Sequence, residues 1–176
     1  MRKSTLIALA AGLALSASAA FADDRQAMIA DAVSAAPNTI TASATVMDWS
    51  GNTLQKGSNG YTCFPTPPNL NGTAPMCLDK PWMAWADAWM NKKPFKANAV
   101  GTAYMLAGDG GASNIDPFAK GPTPDNDWVV EGPHLMVIVP DPAALEGIST
   151  DPKNGGPYVM WKGTPYAHIM VPAANK

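Results

Sequence analysis

The pattern of apolar and polar positions changes period several times along the chain. It opens with Met1-Arg2-Lys3, runs through an unbroken apolar stretch from Leu6 to Leu15, and continues in small residues to Ala20-Phe21-Ala22. A positive start, a short apolar run and an A-x-A ending are the marks of a secretory leader over residues 1–22. The run is too short to span a bilayer comfortably. No Cys follows Ala22 to carry a lipid, and a single Arg argues against the twin-Arg route. Beyond it, Asp24 to Ala36 has a helical period, with Ala27, Met28, Ile29, Ala32 and Val33 on one stripe and Pro37 as the stop. Thr39 to Trp49 alternates and is rich in β-formers, so a strand is expected there, turning at Ser50-Gly51-Asn52. Thr53 to Gln55 and Tyr61 to Phe64 read as a returning strand interrupted by 56–60.

The next strong period is Pro81 to Lys92, where Trp82, Trp85 and Trp89 share one helical face and Asp79 is placed to cap. Pro94 ends it. Val100 to Ala107 and His134 to Val139 read as strands, Tyr158 to Trp161 and Ala167 to Val171 as shorter ones. Gly108 to Asp127 is a long irregular stretch of Gly, Asp, Asn and Pro. The expected architecture is α+β: a single small domain over 23–176, an antiparallel sheet with two helices packed on it, and one disulfide.

Composition narrows the function classes. The 176 residues suit one ordinary domain, and 47% hydrophobic content is too high for disorder. Loss of Arg2 and Lys3 with a leader would take the net charge from −2 to −4. No basic surface for nucleic acid is indicated. Two His and two Cys cannot build a four-ligand zinc finger together with a disulfide. Cys63 and Cys77 would fall in an oxidising compartment, periplasmic or extracellular, where pairing is the natural state. Their bridge would staple the proline-rich segment between them, worth on the order of 3 kcal/mol in the chain-entropy picture.

The candidate chemistry centres on the histidines. Both occur as His-x-Met, at His134/Met136 and His168/Met170. Residues two apart on a strand share a face. Antiparallel pairing of the two segments would bring two imidazoles and two thioethers together, with Met160 as a fifth donor. Soft thioethers and imidazole suit Cu(I), and copper is the cofactor this set implies. The plain alternative is core packing, since Met is an ordinary filler of interiors. A second candidate is the loop 108–127, where Asp109, Asn114 and Asp116 offer oxygen donors for calcium, turn chemistry, or contacts to a small organic ligand or a protein. A third is a hydrolase pairing His134 or His168 with Asp109, Asp116 or Asp127, with Ser113 or Ser149 as nucleophile, although neither G-x-S-x-G nor H-E-x-x-H occurs. The chain thus reads more as a binding protein than an enzyme, its partner a metal ion or a small molecule. No stable membrane insertion is expected once the leader is removed.

Two resemblances add to this. The His-x-Met pairs are similar to those of periplasmic copper chaperones of the cupredoxin-like type, which implies metal binding through His134, Met136, His168 and Met170. The stretches GSNGYTCFP, PMCLDKPWMAWADAW, AYMLAGDGGASNIDPFA, GPHLMVIVPD and YVMWKGTPYAHIMVP resemble a family of small exported bacterial proteins with no assigned activity. That resemblance implies a single secreted domain and brings no catalytic residue with it.

Overall fold

The computed structural model describes residues 23–173; the leader expected at 1–22 lies outside them. The fold is α+β, built on an eight-stranded, almost wholly antiparallel sheet with helices against it. Helix α1 covers residues 23–33. A one-turn helix α2, Asn38–Thr41, follows, then β1, Thr45–Met47. The strand expected from Thr39 is therefore only its last part. Pro37 starts a new turn, its carbonyl taking Ile40 N and Thr41 N at 2.8 and 3.0 Å, which uses the residues that alternation had assigned to a strand.

Strands β2 (Thr53–Gln55), β3 (Thr62–Phe64) and β4 (Met76–Leu78) lead into α3 (Lys80–Met90). Next come β5 (Gly101–Met105), β6 (Ala112–Ser113), β7 (Trp128–Val129), β8 (His134–Ile138), a 3-10 turn at Pro142–Leu145, β9 (Tyr158–Met160) and β10 (His168–Pro172). The sheet order is β2-β1-β3-β4-β5-β8-β10-β9, and only β1 with β3 runs parallel. β6 and β7 form a separate hairpin.

Cys63 and Cys77 face each other across β3 and β4 and are bonded, both fully buried. Helix α1, with the turn that follows it, covers this face with Ala32, Ala35 and Ala36. It is fastened by Thr66 N to Asp31 Oδ2 at 2.7 Å, by Leu106 N to the Ala35 carbonyl at 2.9 Å, and by Arg25 to the Leu54 carbonyl. Close approach recurs at Gly57, where a Cβ would meet the Ala44 carbonyl carbon at 2.1 Å.

Helix α3 lies on the opposite face. Its N-terminus is fixed by Asp79, whose Oδ1 accepts from Trp82 N at 3.0 Å while Oδ2 accepts from Thr102 N at 2.6 Å. One carboxylate thus caps the helix and ties it to β5. Trp82 and Trp85 turn inward as the helical spacing requires, and Asp87 turns to solvent. No helix among the described residues is long and apolar enough to cross a membrane.

Candidate functional site

The register decides which side chains share the face beneath α3. Met136 stands opposite Met170, His168 opposite Met160, and Ala103 opposite Met136. By alternation, Met76, Met105, Met136, Met160, His168 and Met170 all lie on this face. Helix α3 packs onto it through Trp82, Trp85 and Ala88, which share one buried cluster with Leu78, Ala103, Ile138, Met160 and Met170. Beside this packing is a cavity of about 560 Å³, to which the helix contributes Trp82, Met83, Trp85, Ala86 and Trp89. The disulfide-stapled segment supplies Phe64, Pro67 and Leu70, and the 108–127 loop supplies Asp109 to Ser113, Asp116 and Pro117. Seven of the ten methionines and five of the six tryptophans of the chain line this one space.

The indoles also hold the walls. Trp89 Nε1 donates to the Pro117 carbonyl at 2.9 Å and Trp161 Nε1 to the Ser113 carbonyl at 2.6 Å, folding the 108–127 loop over the cavity. Trp49 Nε1 donates to the Pro65 carbonyl at 2.7 Å on the far side. Trp85, Trp89 and Trp161 are mutually near-parallel, with centroids 5.7 to 6.0 Å apart. By contrast, the Nε1 groups of Trp82 and Trp85 are buried with no hydrogen-bond partner. Such an orphan costs roughly 1–3 kcal/mol, so a natural interior holds few of them.

His168 sits at the centre of the aromatic wall, edge-on to Trp82, Trp85 and Trp161 at 5.4, 5.5 and 5.1 Å. Its Nδ1 is 2.9 Å from the Tyr166 carbonyl. A carbonyl only accepts, so Nδ1 carries the proton and Nε2 keeps its lone pair. Burial pulls its pKa down to about 4, against the opposing pull of the Tyr166 carbonyl, so the ring is neutral at physiological pH.

His134 is fixed in the same way, Nδ1 to the Gly132 carbonyl at 2.7 Å, but it lies at the other end of the paired strands. It shares the face of Met136 and stands opposite Met105 on β5, but it is absent from the cavity lining. Its Nε2 is buried without a partner. Nearby, Tyr158 Oη donates to Glu131 Oε1 at 2.9 Å, and burial beside that carboxylate pushes the tyrosine pKa up. Asp109 Oδ1 accepts from Glu131 N and Gly111 N at 2.9 and 3.0 Å. Burial raises the Asp109 pKa in spite of those bonds and of the His134 imidazole.

No family model matches the chain, and neither does any curated protein or solved structure.

The sequence-derived set therefore divides. Met136, Met160, His168 and Met170 adjoin one another and line the cavity, while His134 belongs to the Glu131–Tyr158–Asp109 group. Among the described residues no three His, Cys, Asp or Glu side chains gather as a metal ion would need. The calcium reading of the loop has no support in the bonding. Asp109 turns to Glu131 and Gly111, Asn114 Nδ2 donates to Asp127 Oδ2 at 2.8 Å, and Asp116 Oδ1 accepts from Phe118 N at 2.9 Å. The hydrolase reading fares no better, since each imidazole is oriented by a backbone carbonyl rather than a carboxylate. Sequence reasoning missed Met76, Met83 and Met105 as parts of the site. Alternation within β5 and helical spacing from Trp82 were the signals available for Met105 and Met83. The depth of the cavity had no signal at all.

Proposed function

We propose that this chain is a binding protein that encloses a small, largely apolar molecule between α3 and the sheet. The observation that carries the reading is the cavity's lining. Its volume falls in the range of small-molecule sites, and it collects seven of the chain's ten methionines and five of its six tryptophans. Thioethers adapt to varied apolar shapes, and indoles give broad contact area at little entropy cost. The buried disulfide and the leader-like start favour a periplasmic or extracellular site of action.

A second reading is favoured by one feature of the same wall. Three thioethers, Met136, Met160 and Met170, adjoin an imidazole whose Nε2 lone pair is free, and this donor set suits Cu(I) as cargo. The donors fit in kind, and His134 takes no part in this version.

One experiment separates the two. The purified protein is titrated with the neutral apolar dye N-phenyl-1-naphthylamine, and separately, without oxygen, with Cu(I) against a chromophoric chelator. The ligand reading expects one saturable dye site, lost when Ala86→Trp fills the cavity without lowering Tm. Copper binding that survives Ala86→Trp but is lost in His168→Ala and Met170→Ala would replace it with the metal reading. Absence of both dye and copper binding would overturn both.

A further inference from the structure

The lining has an electrical character that goes beyond apolar. Its charged side chains are four carboxylates, Asp48, Asp87, Asp109 and Asp116, and it includes no Lys or Arg. Its one imidazole is held neutral by burial. The other features it presents are electron-rich as well. They are the aromatic rings of Trp49, Phe64, Trp82, Trp85, Trp89 and Trp161, together with methionine side chains. An aromatic face carries the negative end of the ring quadrupole and attracts a cation placed over it.

The carboxylates are only partly neutralised from outside. Asp87 is 3.7 Å from Lys93, an exposed pair that solvent screens. Asp48 and Asp116 accept hydrogen bonds from neutral groups. Among the described residues Asp109 has no Lys or Arg in an ion pair with it, and its Oδ1 accepts from two backbone N–H groups. Lys92, the other nearby cation, lies over Phe118 at 4.9 Å, on a ring that is not part of the lining. An anion entering this space would meet no opposite charge, and a neutral molecule would leave the carboxylates unused.

We propose that the molecule bound between α3 and the sheet is an organic cation, an alkyl- or arylammonium whose apolar body fills the methionine floor and whose charged head lies against the tryptophan faces toward Asp109. This rests on the cavity being a ligand site, and the test keeps the two claims apart.

The test uses three probes of one size: phenyltrimethylammonium, its neutral carbon isostere tert-butylbenzene, and benzenesulfonate. Each competes with the bound dye, and each is also followed by the rise in Tm. The cation is expected to bind about tenfold or more tightly than the neutral isostere, the order of one desolvated cation–π contact. Benzenesulfonate should be weakest. In Asp109→Asn, which keeps the shape of the side chain, the preference for the cation should shrink several-fold while tert-butylbenzene binds as before. If tert-butylbenzene equals or beats the cation, the charge assignment falls and the apolar cavity stands. If neither probe nor dye binds, the ligand site itself is wrong, and the cation with it.

Discussion

On one side of the sheet, α1 lies against β1, β3 and β4 through alanines; on the other, α3 packs on β4 and β5 through tryptophans and borders a cavity lined by methionines. Ala32, Ala35, Ala44, Val46, Cys63 and Cys77 are all fully buried, and the helix comes close enough for a main-chain hydrogen bond from Leu106 to Ala35. Small, stiff side chains leave nothing to adjust, so this side closes. The α3 side has much larger residues and yet encloses about 560 Å³ of space. Large rings cannot interdigitate as alanines do: Trp85 and Trp89 stack on Trp161, which follows β9, and Trp82 and Trp85 meet His168 of β10 edge-on. Filling volume is thus not the same as closing it. The tight side holds the frame, and the loose side has room for a guest.

The largest expected effect is on the tight side. The bond between Cys63 and Cys77 joins the two strands under α1, with 14 residues of sequence separation. Replacing both with Ser removes the cross-link and places two hydroxyls in a dry alanine-lined site. A loss of about 2–5 kcal/mol is expected, read by urea unfolding. A loss below 1 kcal/mol would mean that the alanine contacts alone hold this side. The same denaturation, followed separately by tryptophan fluorescence and by far-UV circular dichroism, shows whether the α3 side lets go first.

Much of this contrast is legible in the sequence, but unequally. The stripe Ala27, Ala32, Val33 and the spacing of Trp82, Trp85 and Trp89 give both helices, because helical period survives in a single stretch of chain. The Cys63–Cys77 pairing follows from there being only two cysteines in a chain whose start reads as a leader. The sharing of one face by Met136, Met160, His168 and Met170 follows from alternation once the strands are known to pair. What is not legible is the register, which puts Met136 opposite Met170 but carries His134 to the far end. Register depends on contacts between segments more than 30 residues apart in sequence, and nothing local encodes it. The group of Glu131, Tyr158 and Asp109 was hidden for the same reason, since its members come from three different segments.

The next effect belongs to the loose side and to acid. The His168 pKa is about 4 in the folded protein, against 6.5 for a free imidazole, so the unfolded chain binds the extra proton first. Stability is therefore fully present above pH 6.5 and is lost as pH falls toward 4, by at most about 3 kcal/mol. Asp109, whose pKa is raised, works with the opposite sign and offsets part of this. Asp48, whose pKa is lowered, keeps its contribution throughout this window and loses it only below its ordinary value of 3.8. Urea unfolding at pH 7, 5.5 and 4.5 measures the slope. In His168→Gln the slope over this window should flatten. An unchanged slope would place the acid sensitivity elsewhere and remove the argument that this ring is locked in its neutral form.

The smallest effect is the sharpest test of the contrast, because it applies one substitution to both sides. Ala35→Leu and Ala86→Leu each add the same three carbons to an alanine in or next to a helix. Alanine and leucine have nearly equal helix propensity, so that contribution is minor. Ala35 is fully buried against the disulfide side, where the added volume forces strain worth about 1–3 kcal/mol. Ala86 lines the cavity, so its added volume enters existing space and gains apolar contact. Its expected change is within about 0.5 kcal/mol of zero, or stabilising. It should also weaken dye binding, because the same space cannot hold both. If Ala86→Leu destabilised as much as Ala35→Leu, α3 would be packed as tightly as α1, and the difference between the two sides would disappear.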